Sequence, residues 1–144
     1  MIKSIGIILA FLLLAGCAMP KAPHYIDTSD YSVPTQGMAG VYYYSWKTGI
    51  FGAAYDVKFE VDDVVYSTIN TGEWDYFEMK PGTHEIPLSW PMTIPVTMEA
   101  GTNYFFRGYI MNLTPSIVPT YNEKEIQAAL DRIRSGYYEQ ADVD

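Results

Sequence analysis

The sequence predicts a mainly β protein, a seven-stranded β-sandwich followed by one amphipathic helix near its C-terminal end. Three observations carry that expectation. Tyr55-Asp56-Val57-Lys58-Phe59-Glu60-Val61-Asp62 alternates apolar and charged residues without a break, the period-two pattern of a strand with one face in a core and one in water. Turn signals divide residues 37–113 into short apolar runs, at the spacing of roughly 8–12 residues that marks all-β domains. A single helical stripe, Ile126, Ala129, Leu130 and Ile133, comes only after these runs.

From the N-terminus onward, each element has its own justification. At 144 residues the chain has room for one domain and little more. Residues 1–16 read as a signal peptide: Lys3 gives a positive start, Ile5 to Leu14 is apolar apart from Gly6, and Ala15-Gly16 supplies small residues. The apolar run is shorter than the roughly 20 residues that a membrane span needs. Leu14-Ala15-Gly16-Cys17 resembles the lipobox of bacterial lipoproteins. That resemblance implies cleavage before Cys17, a diacylglycerol on its sulfur and an acyl chain on its amine. Two or three chains hold a protein stably where one binds only marginally. Cys17 is the only cysteine, so no disulfide is left to hold the domain. Ala18 follows where an Asp would imply inner-membrane retention, so the resemblance points to the outer membrane, with the domain facing the periplasm.

Residues 17–36 form the lipidated cysteine and a tether. Positions 18–36 hold three prolines and scattered polar residues with no periodicity. Fully extended, this stretch reaches about 60 Å. The sandwich occupies 37–113. Its strands are expected at Val41 to Lys47, Tyr55 to Asp62, Val64 to Ile69, Trp74 to Met79, His84 to Trp90, Ile94 to Met98 and Tyr104 to Leu113. Asp62-Asp63 and Pro81-Gly82 read as turns. Pro87 and Pro95 cannot donate to a ladder, which places their strands at edges or bulges. Residues 114–144 are assigned to the helix and tail. Asn122 with Glu125 makes a capping-box-like start, Gly136 a stop, and Tyr137 to Asp144 a frayed end.

Charge narrows the partners. The chain has 9 basic and 17 acidic residues; losing residues 1–16 removes Lys3 and no acid, leaving 8 against 17, a net of −9. Such a surface repels phosphate, so nucleic acid is excluded as a partner. Of two histidines, His24 lies in the tether and His84 follows Pro81-Gly82-Thr83. A zinc site needs three or four ligands, so no metal is expected. No Gly-x-Ser-x-Gly elbow or Ser-x-x-Lys motif is present. Glu73, Asp75 and Glu78 cluster in a charged turn and strand, where solvated acids are the simpler account than a glycosidase pair. No catalytic residue and no cofactor is expected beyond the lipid on Cys17. His84 is assigned with Pro81 and Gly82 to the turn, its ring bonding a turn carbonyl.

The aromatic residues are the remaining binding candidates. Tyr42-Tyr43-Tyr44 in a strand sends rings to both faces, so at least one is expected to meet water. Tyr42, Tyr44, Trp46 and Phe51 are therefore candidate binding residues.

Gly40-Val41-Tyr42-Tyr43-Tyr44, the Val61-Asp62-Asp63 hairpin, Met79-Lys80-Pro81-Gly82-Thr83-His84 and Gly101-Thr102-Asn103-Tyr104-Phe105-Phe106-Arg107 occur in this order. Together, over about residues 38–112, they resemble a family of small bacterial lipoproteins carrying a domain of unknown function. They also resemble the PEGA-type surface module, which shares the Pro-Gly-x-His hairpin. Ser45 departs from the family pattern, which tends to carry Arg there. The resemblance implies a sandwich of the immunoglobulin or transthyretin kind and brings no catalytic residues. The functional expectation is a lipid-anchored binding or assembly module of the cell envelope, its partner an envelope protein or a cell-wall glycan. The alternatives are an accessory subunit of a secretion or pilus machine, or a cell-wall hydrolase using His84 and an acid.

Overall fold

The computed structural model describes residues 32–48, 55–111 and 113–142. Cys17, the signal peptide, most of the tether and Phe51 lie outside them. Among the described residues, nine strands and one helix run in the order β1 (Ala39–Ser45), β2 (Val57–Val61), β3 (Val64–Ile69), β4 (Glu73–Met79), β5 (Gly82–Ser89), β6 (Met92–Met98), β7 (Asn103–Met111), β8 (Thr114–Pro119), α1 (Glu123–Arg134) and β9 (Glu139–Gln140). The mainly β expectation holds, but the layering of a seven-stranded sandwich does not. Seven strands form one mixed sheet, ordered β6-β5-β8-β7-β1-β4-β9, and β2-β3 forms a separate two-stranded ribbon. Periodicity locates strands without saying which ones pair. The large sheet is assembled by a parallel pairing of β1 with β7, Gly40 opposite Asn103 through Ser45 opposite Gly108, across a wide gap in sequence.

Each layer follows from local chemistry. The ribbon turns at Asp62 and Asp63, with φ of 53° and 60°, the two left-handed residues of a type I′ hairpin. Aspartate tolerates that region better than most side chains. In β2 the strict alternation buries Val57, Phe59 and Val61 and leaves Lys58 and Glu60 exposed. The ribbon's apolar side joins a core with Val41, Tyr43, Met79, Ile86, Phe106 and Ile117 of the large sheet.

The opposite face of the sheet carries a second core, in which Tyr42, Tyr44 and Phe105 meet Ile126, Ala129 and Leu130 of α1. Asn122 caps this helix, its side chain accepting from the N–H groups of Lys124 and Glu125 at 3.0 and 3.2 Å. Glu125 does not complete a capping box; its carboxylate is engaged elsewhere, by Arg107. Gly136, at φ 71°, ends the helix in a Schellman turn: its N–H donates to Ile133 O and that of Tyr137 to Arg132 O. This turn returns the chain to the sheet. The tail is therefore ordered through Asp142 rather than frayed from Tyr137: Tyr138 and Ala141 are buried, and β9 pairs with the start of β4. β8 likewise adds a strand within 114–144, the stretch assigned to helix and tail.

Pro95 lies on β6, an edge strand, and the β5–β6 register shifts between Pro87 and Ser89. Before β1 the chain is clipped to the sheet. Ser32 N–H donates to Tyr42 Oη at 2.9 Å, Asn103 Nδ2 donates to Ser32 O at 3.0 Å, and Thr35 N–H donates to Glu78 Oε1 at 2.7 Å.

Candidate functional site

β1 leaves the sheet after Ser45, whereas β7 continues to Met111. Among the described residues, the edge of β7 from Tyr109 onward therefore has β8 on one side and no strand on the other. A cavity of about 470 Å³ lies beside this edge, lined among others by Trp46, Tyr55, Arg107, Tyr109 and Leu113. It sits at the Ser45–Gly108 end of the β1–β7 pair, opposite the end at which Ser32 is clipped.

Trp46 is held from both sides. Its carbonyl accepts from Thr71 Oγ1 at 2.7 Å, and Thr71 Oγ1 also accepts from Thr48 N–H at 2.7 Å. The Arg107 guanidinium lies 4.2 Å from the Trp46 ring centroid and 5.7 Å from that of Tyr109. Cation–π contacts of this kind are worth about 0.5–2 kcal/mol, with Trp the best partner. Arg107 Nη1 donates to Glu125 Oε1 at 2.8 Å, and Tyr44 Oη donates to the same oxygen at 3.3 Å. Tyr44 Oη also lies 2.9 Å from Thr120 Oγ1. Burial pushes the Tyr44 phenol above its ordinary pKa, with the neighbouring Glu125 charge adding to it. The phenol thus stays protonated and acts as a donor. The polar chain from Thr120 through Tyr44 and Glu125 to Arg107 fixes the guanidinium over the tryptophan. Arg107 has five N–H donors, and Glu125 takes a donor on Nη1 alone.

Gly108 makes room for the Tyr43 ring to lie over β7 and reach the ribbon. A Cβ there would come 2.5 Å from Tyr43 Oη, and that hydroxyl is committed, donating to Val57 O at 3.1 Å.

Of the candidate binding residues, Trp46 lines the cavity and is 44 % exposed. Tyr42 and Tyr44 are corrected: both are buried, as is Tyr43, so none of the three rings meets water. β1 is an inner strand covered by the ribbon on one face and by α1 on the other, and a strand's own sequence does not show that second cover. Phe51 and Cys17 lie outside the described residues. Pro81, in the bend before β5, and Gly82, its first residue with φ of 139°, are both exposed. His84 Nε2 lies 2.8 Å from Lys80 O. The bond is solvent-exposed, so its net worth is about 0.5–1.5 kcal/mol. His84 does not line this cavity. Among the described residues, no group of three or more His, Cys, Asp or Glu side chains is placed to hold a metal ion.

Sequence reasoning missed Arg107 and Tyr109 as site residues. The signal was available: Arg107 is the only charge between Tyr104 and Leu113. Alternation puts it on one face with Tyr109.

Comparison with known families matches residues 35–120 to the family described as "Protein of unknown function (DUF2846)". No curated protein matches the chain, and no solved structure does.

Proposed function

From the premise that the chain belongs to the DUF2846 family, whose description assigns no activity, we propose that it is a lipid-anchored binding module of the bacterial cell envelope. It holds its ligand in the Trp46–Arg107 cavity. The observation that carries this reading is an arginine fixed over an exposed indole at the mouth of a cavity, with donors to spare. Such a site offers a flat apolar face and a fork of N–H groups. Its complement is a ligand with a ring or apolar face and acceptor oxygens beside it. A cell-wall glycan has both, its pyranose rings stacking on aromatics and its acetamido and carboxylate oxygens accepting from arginine. The anchor is the acylated Cys17 of the lipobox-like Leu14-Ala15-Gly16-Cys17, on the periplasmic face of the outer membrane.

Two experiments test the two halves of this reading. Cys17→Ser is expected to abolish palmitate labelling and leave uncleaved precursor or soluble protein. Label that persists in the variant refutes the anchor. For the cavity, titration with soluble N-acetylated cell-wall disaccharides is expected to quench tryptophan fluorescence. Trp46→Ala should weaken that binding at least tenfold, about 1.4 kcal/mol, read by calorimetry because the variant lacks the reporting indole, while its stability falls by no more than the lost cation–π contact, about 0.5–2 kcal/mol. Equal affinity in wild type and variant overturns the assignment. If no glycan binds, and a photoreactive residue at position 46 cross-links one envelope protein in cells, the ligand is a protein.

A further inference from the structure

A second groove lies on another part of the surface, between β2 of the ribbon and the seam of β5 with β8. Its volume is about 630 Å³. The seam is scarcely closed: Ser89 opposite Ser116 is the one residue pair joining the two strands. From Gly82 to Pro87, β5 is paired with β6 on one side and, among the described residues, has no ladder partner on the other. Unpaired main-chain edges of this kind are templates for another strand.

The lining has a strong charge bias. Asp56, Glu60, Asp62, Asp63 and Glu85 face Lys58 as the only cation among the lining residues. None of the five carboxylates is ion-paired among the described residues: Asp56 accepts from Asn70 Nδ2 and Glu85 from Thr93 Oγ1, both neutral donors. The acids are strung along the groove and do not converge as a cation site would require. At one end stand Trp90, 88 % exposed, and Met92. Trp90 and Met92 together give this end of the groove an exposed apolar surface that a partner's side chains can cover.

We infer that this groove takes an extended, basic segment of a partner protein, laid along β5 as an added strand. Its cations pair with the row of carboxylates, and its apolar side chains lie against Trp90 and Met92. Charge complementarity selects this occupant. A second copy of the chain would bring net negative charge to a negative groove, and an anionic lipid surface would be repelled. The inference is independent of the Trp46 cavity and of the anchor.

The test uses the full chain in detergent micelles and a synthetic octapeptide of alternating Lys and Val, with binding measured by calorimetry. Saturable binding is expected to weaken at least tenfold in the double variant Glu60→Lys, Glu85→Lys, and to weaken as salt rises. N-methylation of every second amide on one edge of the peptide should abolish binding; methylation on the other edge should not. Circular dichroism verifies that the charge variants fold, and single variants replace the double one if it does not. Trp46→Ala should bind the peptide as wild type does, which separates this site from the cavity. Unchanged affinity in every charge variant overturns the inference. So does equal binding of both N-methylated peptides, because that result leaves only diffuse attraction of a polycation.

Discussion

Replacing Phe59 with alanine is expected to destabilise the protein by about 3–5 kcal/mol, the scale for truncating a fully buried aromatic. Phe59 is 0 % exposed. Its ring meets those of Tyr43, Phe77 and Phe106 edge-on at centroid distances of 5.2, 5.1 and 5.1 Å. One side chain of the ribbon thus touches β1, β4 and β7. Its loss leaves a cavity that three stiff rings cannot close by small rotations. Lys58→Ala and Glu60→Ala, on the outer face of the same strand, should stay within about 0.5 kcal/mol. Urea melts of the three variants check the contrast. Equal effects at positions 58 and 59 would contradict the burial pattern.

The second large effect is expected at Leu130, where alanine should cost about 2–5 kcal/mol. Leu130 is 0 % exposed and packs with Tyr42, Tyr44 and Phe105 under α1. Gln127, on the exposed side of the helix, should tolerate alanine within about 0.5 kcal/mol. Thermal melts with a helix-sensitive and an aromatic signal distinguish the outcomes. If the helix only decorates the sheet, Leu130→Ala loses helical signal with little change in the aromatic transition. The shared core requires both signals to shift together. The matched family segment ends at 120, before α1, so this experiment also measures how far that segment depends on the helix beyond its end.

Local structure was legible in the sequence wherever one residue type dictates one geometry. Strict alternation located β2, Asp62-Asp63 its turn, Asn122 the start of α1 and Gly136 its end. The pairing of strands distant in sequence was not. Nothing in Tyr42-Tyr43-Tyr44 states that β7 and β4 flank it, or that a ribbon and a helix cover its two faces. Burial of all three tyrosines follows from those neighbours. β8 was missed because Pro115 and Pro119 interrupt its apolar residues; both are tolerated in a short strand that pairs fully on one side only. The tail was read as frayed because its ordering comes from the Schellman turn and from Tyr138 stacking near Tyr44, a contact set by tertiary structure. In the candidate site, Trp46 was visible as an aromatic near the end of the first expected strand, Val41 to Lys47. Arg107 became a site residue only when the parallel β1–β7 pairing set it beside Trp46.

The clip at Ser32 and Thr35 has a mechanical consequence. On the proposed function, with the N-terminus anchored in a membrane and a ligand in the cavity, tension between the two would act across the molecule from the Gly40 end of β1 to its Ser45 end, along the strand axis. β1 is registered over six residue pairs with β4 and six with β7. Force along such a strand loads both ladders in shear, so their hydrogen bonds must yield together. A strand peeled from the edge of a sheet gives them up one at a time. The side-chain clips to Tyr42, Asn103 and Glu78 would take up the pull first. A domain strung between a membrane and the structure above it would thus bear the strain through a strand braced on both sides.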